Sequence, residues 1–467
     1  MEILHVCAEC YPVAKAGGLG DVTGALPVYL NRAGHIAKVV MPMHRTPFLY
    51  ENEWEVVHKG HIKLYTDTEF TVIKEKNNRL GFDLYCIDIN GLLDREKIYG
   101  YDDDTMRFIA FQVAVCEWLS KWNHKPDVVH VHDHHAGLIP FFLKFVLAYG
   151  HLSNIRTVLT VHNAQYQGIM GWDAAQLFPA WDSWKWGMLE WDDNINSLAA
   201  AVKCADHITT VSPGYLQELM HNANGLESLF RNEAFKCTGI INGIDIGIWN
   251  PGTDTFILDN YSVTDVGQGK DLNKKKICKD MGLNKALPLF IFIGRLVKDK
   301  GADLLPGALD MAFHKFGKTF SVAILGSGMP ALENALLSLN DMYPGFCHTT
   351  IAFNEKLSHQ LYAGADFLLM PSRVEPCGLN QLYSMRYGTI PVVRETGGLA
   401  DTVIDVGNDG FGITFKQASE QDICNAIGRA RELFSSQAGF TRLRKTVMEI
   451  DHSWEESVQK YISIYNH

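Results

Sequence analysis

The chain has 467 residues, 47% of them hydrophobic and 20% charged, with a formal net charge of −11 at pH 7. That composition sustains a packed core and excludes global disorder, and the acidic excess argues against a dedicated nucleic-acid binder. No apolar run approaches the roughly 20 residues of a membrane helix, and the opening MEILHVCAECYP shows no secretory-signal pattern, so neither is expected.

Along the chain, short β-branched runs alternate with helical patterns, the signature of parallel sheets covered by helices. The first half predicts strands at 3–8, 37–41, 128–131, 157–161, 207–211 and 238–241, with helices at 105–122 and 137–148. Segment 54–88 alternates like a hairpin and is expected as an insertion on the first sheet. After the turn Ile241-Asn242-Gly243-Ile244-Asp245 comes a polar stretch, 250–276, and then the alternation restarts. Strands are predicted at 289–293, 321–325, 347–351, 367–370 and 390–393, with a helix at 302–316. The expected fold class is α/β, two doubly wound domains with a deep cleft between them. Their bounds are set at 1–245 and 246–450, with a terminal helix in 451–467.

Two glycine pairs echo one another: Gly17-Gly18-Leu19-Gly20-Asp21 and Gly397-Gly398-Leu399-Ala400-Asp401. Each lies between a predicted strand and a helix start, where backbone N–H groups and the helix terminus can meet an anion. An ordinary tight turn explains either one alone; two together suggest a grip on a phosphorylated ligand. Arg295 and Lys300 share one loop after a strong strand and can converge on a diphosphate, Arg as a fork and Lys as a point charge. Glu375 is held extended by Pro376, with Gly378 leaving room for a ligand beside the backbone. His162 and Asn163 end a strand on the cleft side.

Other patterns have cheaper explanations. Gly317-Lys318-Thr319 lacks the first glycine of a phosphate loop, since position 312 is Ala, and no HExxH occurs. Cys7 and Cys10 have redox or zinc spacing, but no second ligand pair stands at matching spacing. The ten scattered cysteines read instead as reduced thiols of a cytoplasmic protein. The cluster His130, His132, His134 and His135 permits a metal site; a polar lining of the cleft, with Asp133 capping a helix at Ala136, is the preferred reading. Asp102-Asp103-Asp104 contains a D-x-D, which first-turn helix acids also explain.

Taken together, the motifs resemble the bacterial glycogen synthase and plant starch synthase family. The matching pieces are Lys15-Ala16-Gly17-Gly18-Leu19, HVHDHHAG at 130–137, TVHNAQYQG at 160–168, INGID at 241–245, IGRLVKDKG at 293–301, PSRVEPCGLNQLYSMRYG at 371–388 and ETGGLADTV at 395–403. The resemblance implies a GT-B arrangement of two Rossmann-like domains, with the final helix crossing back onto the first. It implies glucosyl transfer from a nucleotide-glucose to the non-reducing end of an α-1,4-glucan, with retention of configuration.

Carried over by position, the resemblance makes His162, Arg295, Lys300 and Glu375 the catalytic set. Lys15, Gly17, Gly18, Asn242, Cys377, Gly378, Gly397 and Gly398 join Arg295, Lys300 and Glu375 in holding the donor. It further implies no metal and no other cofactor; from charge, hydropathy and cysteine usage, no nucleic-acid or membrane partner and a cytoplasmic location are expected, and oligomeric state stays open. The broader superfamily often has a second Glu eight positions after the first. Tyr383 stands there, as in the glycogen and starch synthase branch. The expected donor is ADP-glucose. UDP-glucose as donor, a sugar-nucleotide 2-epimerase and a non-catalytic glucan-binding protein remain as rivals at this point.

Overall fold

A parallel strand covered by helices on both faces loses the in–out alternation of an exposed sheet. Val128–His132 shows this: all five residues are buried, histidines included. The computed structural model describes residues 1–466. The chain divides into two compact units, Met1–Asn242 joined by the final helix Trp454–Asn466, and Gly243–Ser453.

The first unit is built on a nine-stranded sheet. From one edge its order is Cys237–Gly239, His207–Thr210, Arg156–Val161, Val128–His132, Glu2–Val6, Ile36–Pro42, Asp83–Asp88, Asp67–Glu75 and Trp54–Lys63. The first seven run parallel. Only Trp54–Lys63 and Asp67–Glu75 form an antiparallel hairpin, and it extends the sheet edge. The expected insertion is therefore smaller than 54–88. Its third leg, Asp83–Asp88, is an integral strand in parallel register with Ile36–Pro42, because its run DLYCID buries Leu84, Tyr85, Cys86 and Ile87.

The second unit has six parallel strands, ordered Cys347–Ile351, Ser321–Gly326, Leu289–Ile293, Phe367–Met370, Ile390–Arg394 and Ile413–Phe415. The last was not foreseen, being three residues long, and neither was a small three-stranded sheet made of Ile169–Met170, Asn194–Asn196 and Glu190–Trp191. The helix expected at 137–148 is broken into Ile139–Phe145 and a following 3₁₀ stretch, Leu147–Leu152.

The division falls between Asn242 and Gly243 rather than after Asp245. Ile244 donates its N–H to His452 O at 2.8 Å, so the outgoing and returning chains lie side by side within the second unit. The final helix then places Trp454, Val458, Tyr461 and Tyr465 on one apolar face. That face packs with Ile3, Ala37, Val128 and Val158 of the first sheet and with Val22 and Leu26 of helix Gly18–Arg32. No helix among the described residues is long and apolar enough to cross a membrane.

Candidate functional site

In the first unit the glycine-rich loop leads from strand Glu2–Val6 to helix Gly18–Arg32. Its shape is set by a carboxylate that sequence reasoning missed. Glu9, 4% exposed, accepts the N–H groups of Ala16 and Gly17 on one oxygen at 2.6 and 2.8 Å, and the Tyr99 hydroxyl on the other at 2.7 Å. The Gly17 N–H expected to meet an anion is thus already given to Glu9. Lys15 bonds Asp21 at 2.6 Å and lies over the Tyr11 ring. A Cβ added at Gly17 or at Gly18 would meet nothing within 4 Å, so open space lies beside both.

His162 follows strand Arg156–Val161 and is pinned from two sides. Its N–H donates to Asp133 Oδ1 at 2.7 Å, and its Nε2 lies 3.0 Å from Nδ1 of His132. Asp133 does not cap the helix at Ala136 as expected. It sits at φ +55 and ψ −171, a backbone region that is nearly glycine's alone, and its carboxylate turns to the end of the neighbouring strand. Burial pushes the Asp133 carboxyl up to about 7 against those two backbone donors, and burial lowers His162 to about 3, leaving a neutral imidazole. Asn242 is buried, and its Oδ1 has no hydrogen-bond partner among the described residues.

Two members of the acidic triplet are committed elsewhere. Asp103 takes a fork from Arg95 at 2.8 and 2.6 Å, and Asp104 pairs with Arg107 and accepts from Gly100 and Tyr101. His5, His130 and His132 place one nitrogen each within 4.8 Å of the others, but nearly all their nitrogens are spent on neighbours. His130 reaches the Tyr465 hydroxyl at 2.7 Å and Thr160 Oγ1 at 2.6 Å, while His132 lies between His5 and His162.

In the second unit Glu375 is 6% exposed and receives Lys300 Nζ on both oxygens, at 2.6 and 2.7 Å, with the Ser372 hydroxyl at 2.9 Å. Two arginines clamp the loop that carries it. Arg394 donates to Ser372 O and Arg373 O at 2.7 Å each, and Arg373 forks onto Asp303 while its N–H reaches Asp299 O. Asn380 bonds Ile293 O, tying the same segment to the strand before Arg295. Arg295 itself is exposed, and its guanidinium makes no hydrogen bond or ion pair among the described residues.

The second glycine pair supports this loop. Gly398 gives its N–H to Glu375 O at 3.1 Å, so that group is not free for a phosphate as expected. An added Cβ would come within 2.2 Å of Glu375 O at Gly397 and 2.1 Å of Cys377 O at Gly398. Cys377 is buried, and Gly378 sits at φ +73. Tyr383 is turned into the core, stacked on Trp249 with ring centres 3.8 Å apart; Trp249 stacks in turn on His359.

Residues 2–232 match the family model described as the starch synthase catalytic domain, and residues 273–433 match that of glycosyl transferases group 1. A glycogen synthase of Flavobacterium johnsoniae is 50% identical over 467 residues, covering 100% of this chain and 99% of that protein. One from Finegoldia magna is 34% identical over 481 residues, covering 100% and 99%. Among solved structures, the catalytic domain of starch synthase IV from Arabidopsis thaliana, bound to ADP and acarbose, superposes with a TM-score of 0.89 at 30% identity, covering 99% of this chain and 98% of that one. A sucrose-phosphate synthase from Thermosynechococcus elongatus shares the fold at a TM-score of 0.63 and 16% identity, covering 100% and 98%.

Proposed function

The chain belongs to the glycogen and starch synthase family of GT-B glucosyltransferases, which use a nucleotide-sugar donor and a glucan acceptor, and on that premise we propose ADP-glucose as its donor. In this reading glucose passes to the non-reducing end of an α-1,4-glucan with retention of configuration. The bond from glucose C1 to the diphosphate breaks, a bond from C1 to the acceptor hydroxyl oxygen forms, and the acceptor's proton goes to the departing phosphate. The step is hard because negative charge grows on the diphosphate while the sugar becomes oxocarbenium-like. Arg295 and Lys300 meet the first demand, with Lys15 and the Gly17-Gly18 loop contributing. His162, Asn242 and Glu375, with the backbone at Cys377 and Gly378, hold the glucose. Gly397 and Gly398 act by supporting the Glu375 loop.

The observation that carries this reading is the Lys300–Glu375 pair on a clamped loop, with Arg295, unpaired among the described residues, on the same loop as Lys300. The two charges satisfy each other in the structure. In this reading the donor's phosphate competes for Lys300 and releases Glu375 to sugar hydroxyls. ADP in the Arabidopsis relative supports the choice of base. The cationic set supplies the neutralisation that a divalent ion gives elsewhere, so the proposed reaction needs no metal. Ten free cysteines, nine of them buried, support a reducing, cytoplasmic setting.

The test is initial rates of glucose incorporation into glycogen from ADP-glucose and UDP-glucose in parallel, each with EDTA. Faster transfer from ADP-glucose with EDTA present is expected. Preference for UDP-glucose overturns the donor, a requirement for added Mg²⁺ overturns metal independence, and no incorporation from either overturns the whole proposal.

A further inference from the structure

His162 is the accessible end of a chain of imidazoles that runs back into the first sheet. Its Nε2 lies 3.0 Å from Nδ1 of His132, and Nε2 of His132 lies 3.2 Å from Nδ1 of His5. His5 and His132 are fully buried, and His162 is 8% exposed. The far nitrogen, His5 Nε2, is buried with no hydrogen-bond partner among the described residues. The near one, Nδ1 of His162, makes no protein hydrogen bond among the described residues and is not sealed from solvent, so it is open to water or ligand. Around the chain, His130 stacks on His132 with ring centres 4.3 Å apart and is fixed by Tyr465 and Thr160.

Burial holds all three rings neutral, so each carries one N–H and one lone pair. Each shared contact needs an N–H on one side and a lone pair on the other. A neutral His132 therefore donates at one nitrogen and accepts at the other, and only two fully bonded arrangements exist. In one, every N–H points inward and the surplus proton sits on His5 Nε2, a buried donor with no acceptor. In the other, every N–H points outward, His5 Nε2 keeps a bare lone pair, and His162 presents Nδ1–H. An orphaned buried N–H is the rarer and costlier defect, and the open end of His162 is satisfied by water or ligand in either case.

We propose that His5 and His132 are positioning residues whose ordered hydrogen bonds hold His162 as the Nδ1–H tautomer, a neutral donor aimed at a sugar oxygen rather than a base. This rests on the reading above that His162 touches the donor glucose. It assigns a role to two histidines that never meet substrate.

The direct test is long-range proton–nitrogen NMR on protein labelled with ¹⁵N-histidine, which distinguishes Nδ1–H from Nε2–H in a neutral ring. All three residues are expected as Nδ1–H; Nε2–H on His162 overturns the proposal and needs no variant. Kinetics give the second arm. His132→Leu is expected to lower kcat/KM for the nucleotide-glucose about tenfold or more, with the glucan KM unchanged. His132→Asn, whose amide N–H can take the place of Nδ1–H, is expected to return it to within about threefold of wild type. Wild-type kinetics in His132→Leu, or no rescue by a folded His132→Asn, overturns the proposal. In a His162→Ala background the His132 substitutions are expected to add nothing, and a further loss there overturns the coupling. Wild-type activity in His162→Ala alone overturns the underlying role of His162, a failure distinct from that of the chain behind it.

Discussion

The two glycine pairs read almost identically, Gly-Gly-Leu-Gly-Asp and Gly-Gly-Leu-Ala-Asp, and they do opposite work. At Gly17 and Gly18 the missing Cβ leaves open space, and Gly17 has an extended φ of −150° that any residue adopts. At Gly397 and Gly398 the space is filled by the backbone of Glu375 and Cys377, and Gly397 has a φ of +42°. The first pair keeps room that the protein does not use; the second lets two backbone segments touch. A shared motif therefore marks close approach without saying whether ligand or protein makes it.

The largest break in this comparison is at what the second pair supports. Lys300→Ala removes the partner that bonds both oxygens of buried Glu375 and the cation assigned to the leaving diphosphate. Turnover is expected to fall by roughly 10²–10³-fold, the scale of losing one preorganised stabiliser of transition-state charge. Circular dichroism should show the fold retained, and near-normal turnover would remove Lys300 from the site. Next is Gly398→Ala. A methyl 2.1 Å from Cys377 O cannot be accommodated without moving the Glu375 loop. A stability loss of about 2 kcal/mol is expected, together with about 10²-fold lower activity from misplacing Glu375. Denaturant titration and initial rates check the two separately. Loss of stability with full activity would show that the loop's position is not critical.

How much of this was legible in the sequence depends on the scale of the feature. The strands Leu289–Ile293 and Phe367–Met370 end where their apolar runs end, because a strand buried on both faces needs an unbroken run. Ile413–Phe415 has too few residues to carry a pattern. Arg295, Lys300, Glu375 and the glycine pairs stood out as charged or glycine positions near strand ends, whereas Glu9 and Arg394 did not and Asp133 read as a helix cap. Their importance lies in which backbone groups they bond, and that is settled only once the chain is folded. Asp133 is the sharpest case: a strained positive-φ backbone turns its carboxylate from its own helix to the end of the next strand.

Glu9 sharpens the comparison from the other side, since it shapes the first loop by hydrogen bonds alone, where the second also depends on glycines that let two backbone segments touch. Glu9→Ala orphans the N–H groups of Ala16 and Gly17, an expected loss of about 1–2 kcal/mol. The loosened loop should lower kcat/KM for the donor about tenfold, with Glu9→Gln recovering most of it because its amide oxygen still accepts both. Equal loss in both variants would mean that the charge, rather than the loop's shape, is what matters.

The smallest expected effect is the most discriminating. Gly17→Ala places a methyl in open space at a φ that alanine adopts freely, so stability should stay within about 0.5 kcal/mol of wild type. If the loop is glycine-rich to leave room for donor, that methyl occupies the ligand's space and the donor KM should rise several-fold while the melt is unchanged. Gly398→Ala should show the reverse order, with stability lost first and activity lost as its consequence. An unchanged donor KM in Gly17→Ala would make the first loop an ordinary turn, and the resemblance between the two pairs would then say nothing about the ligand.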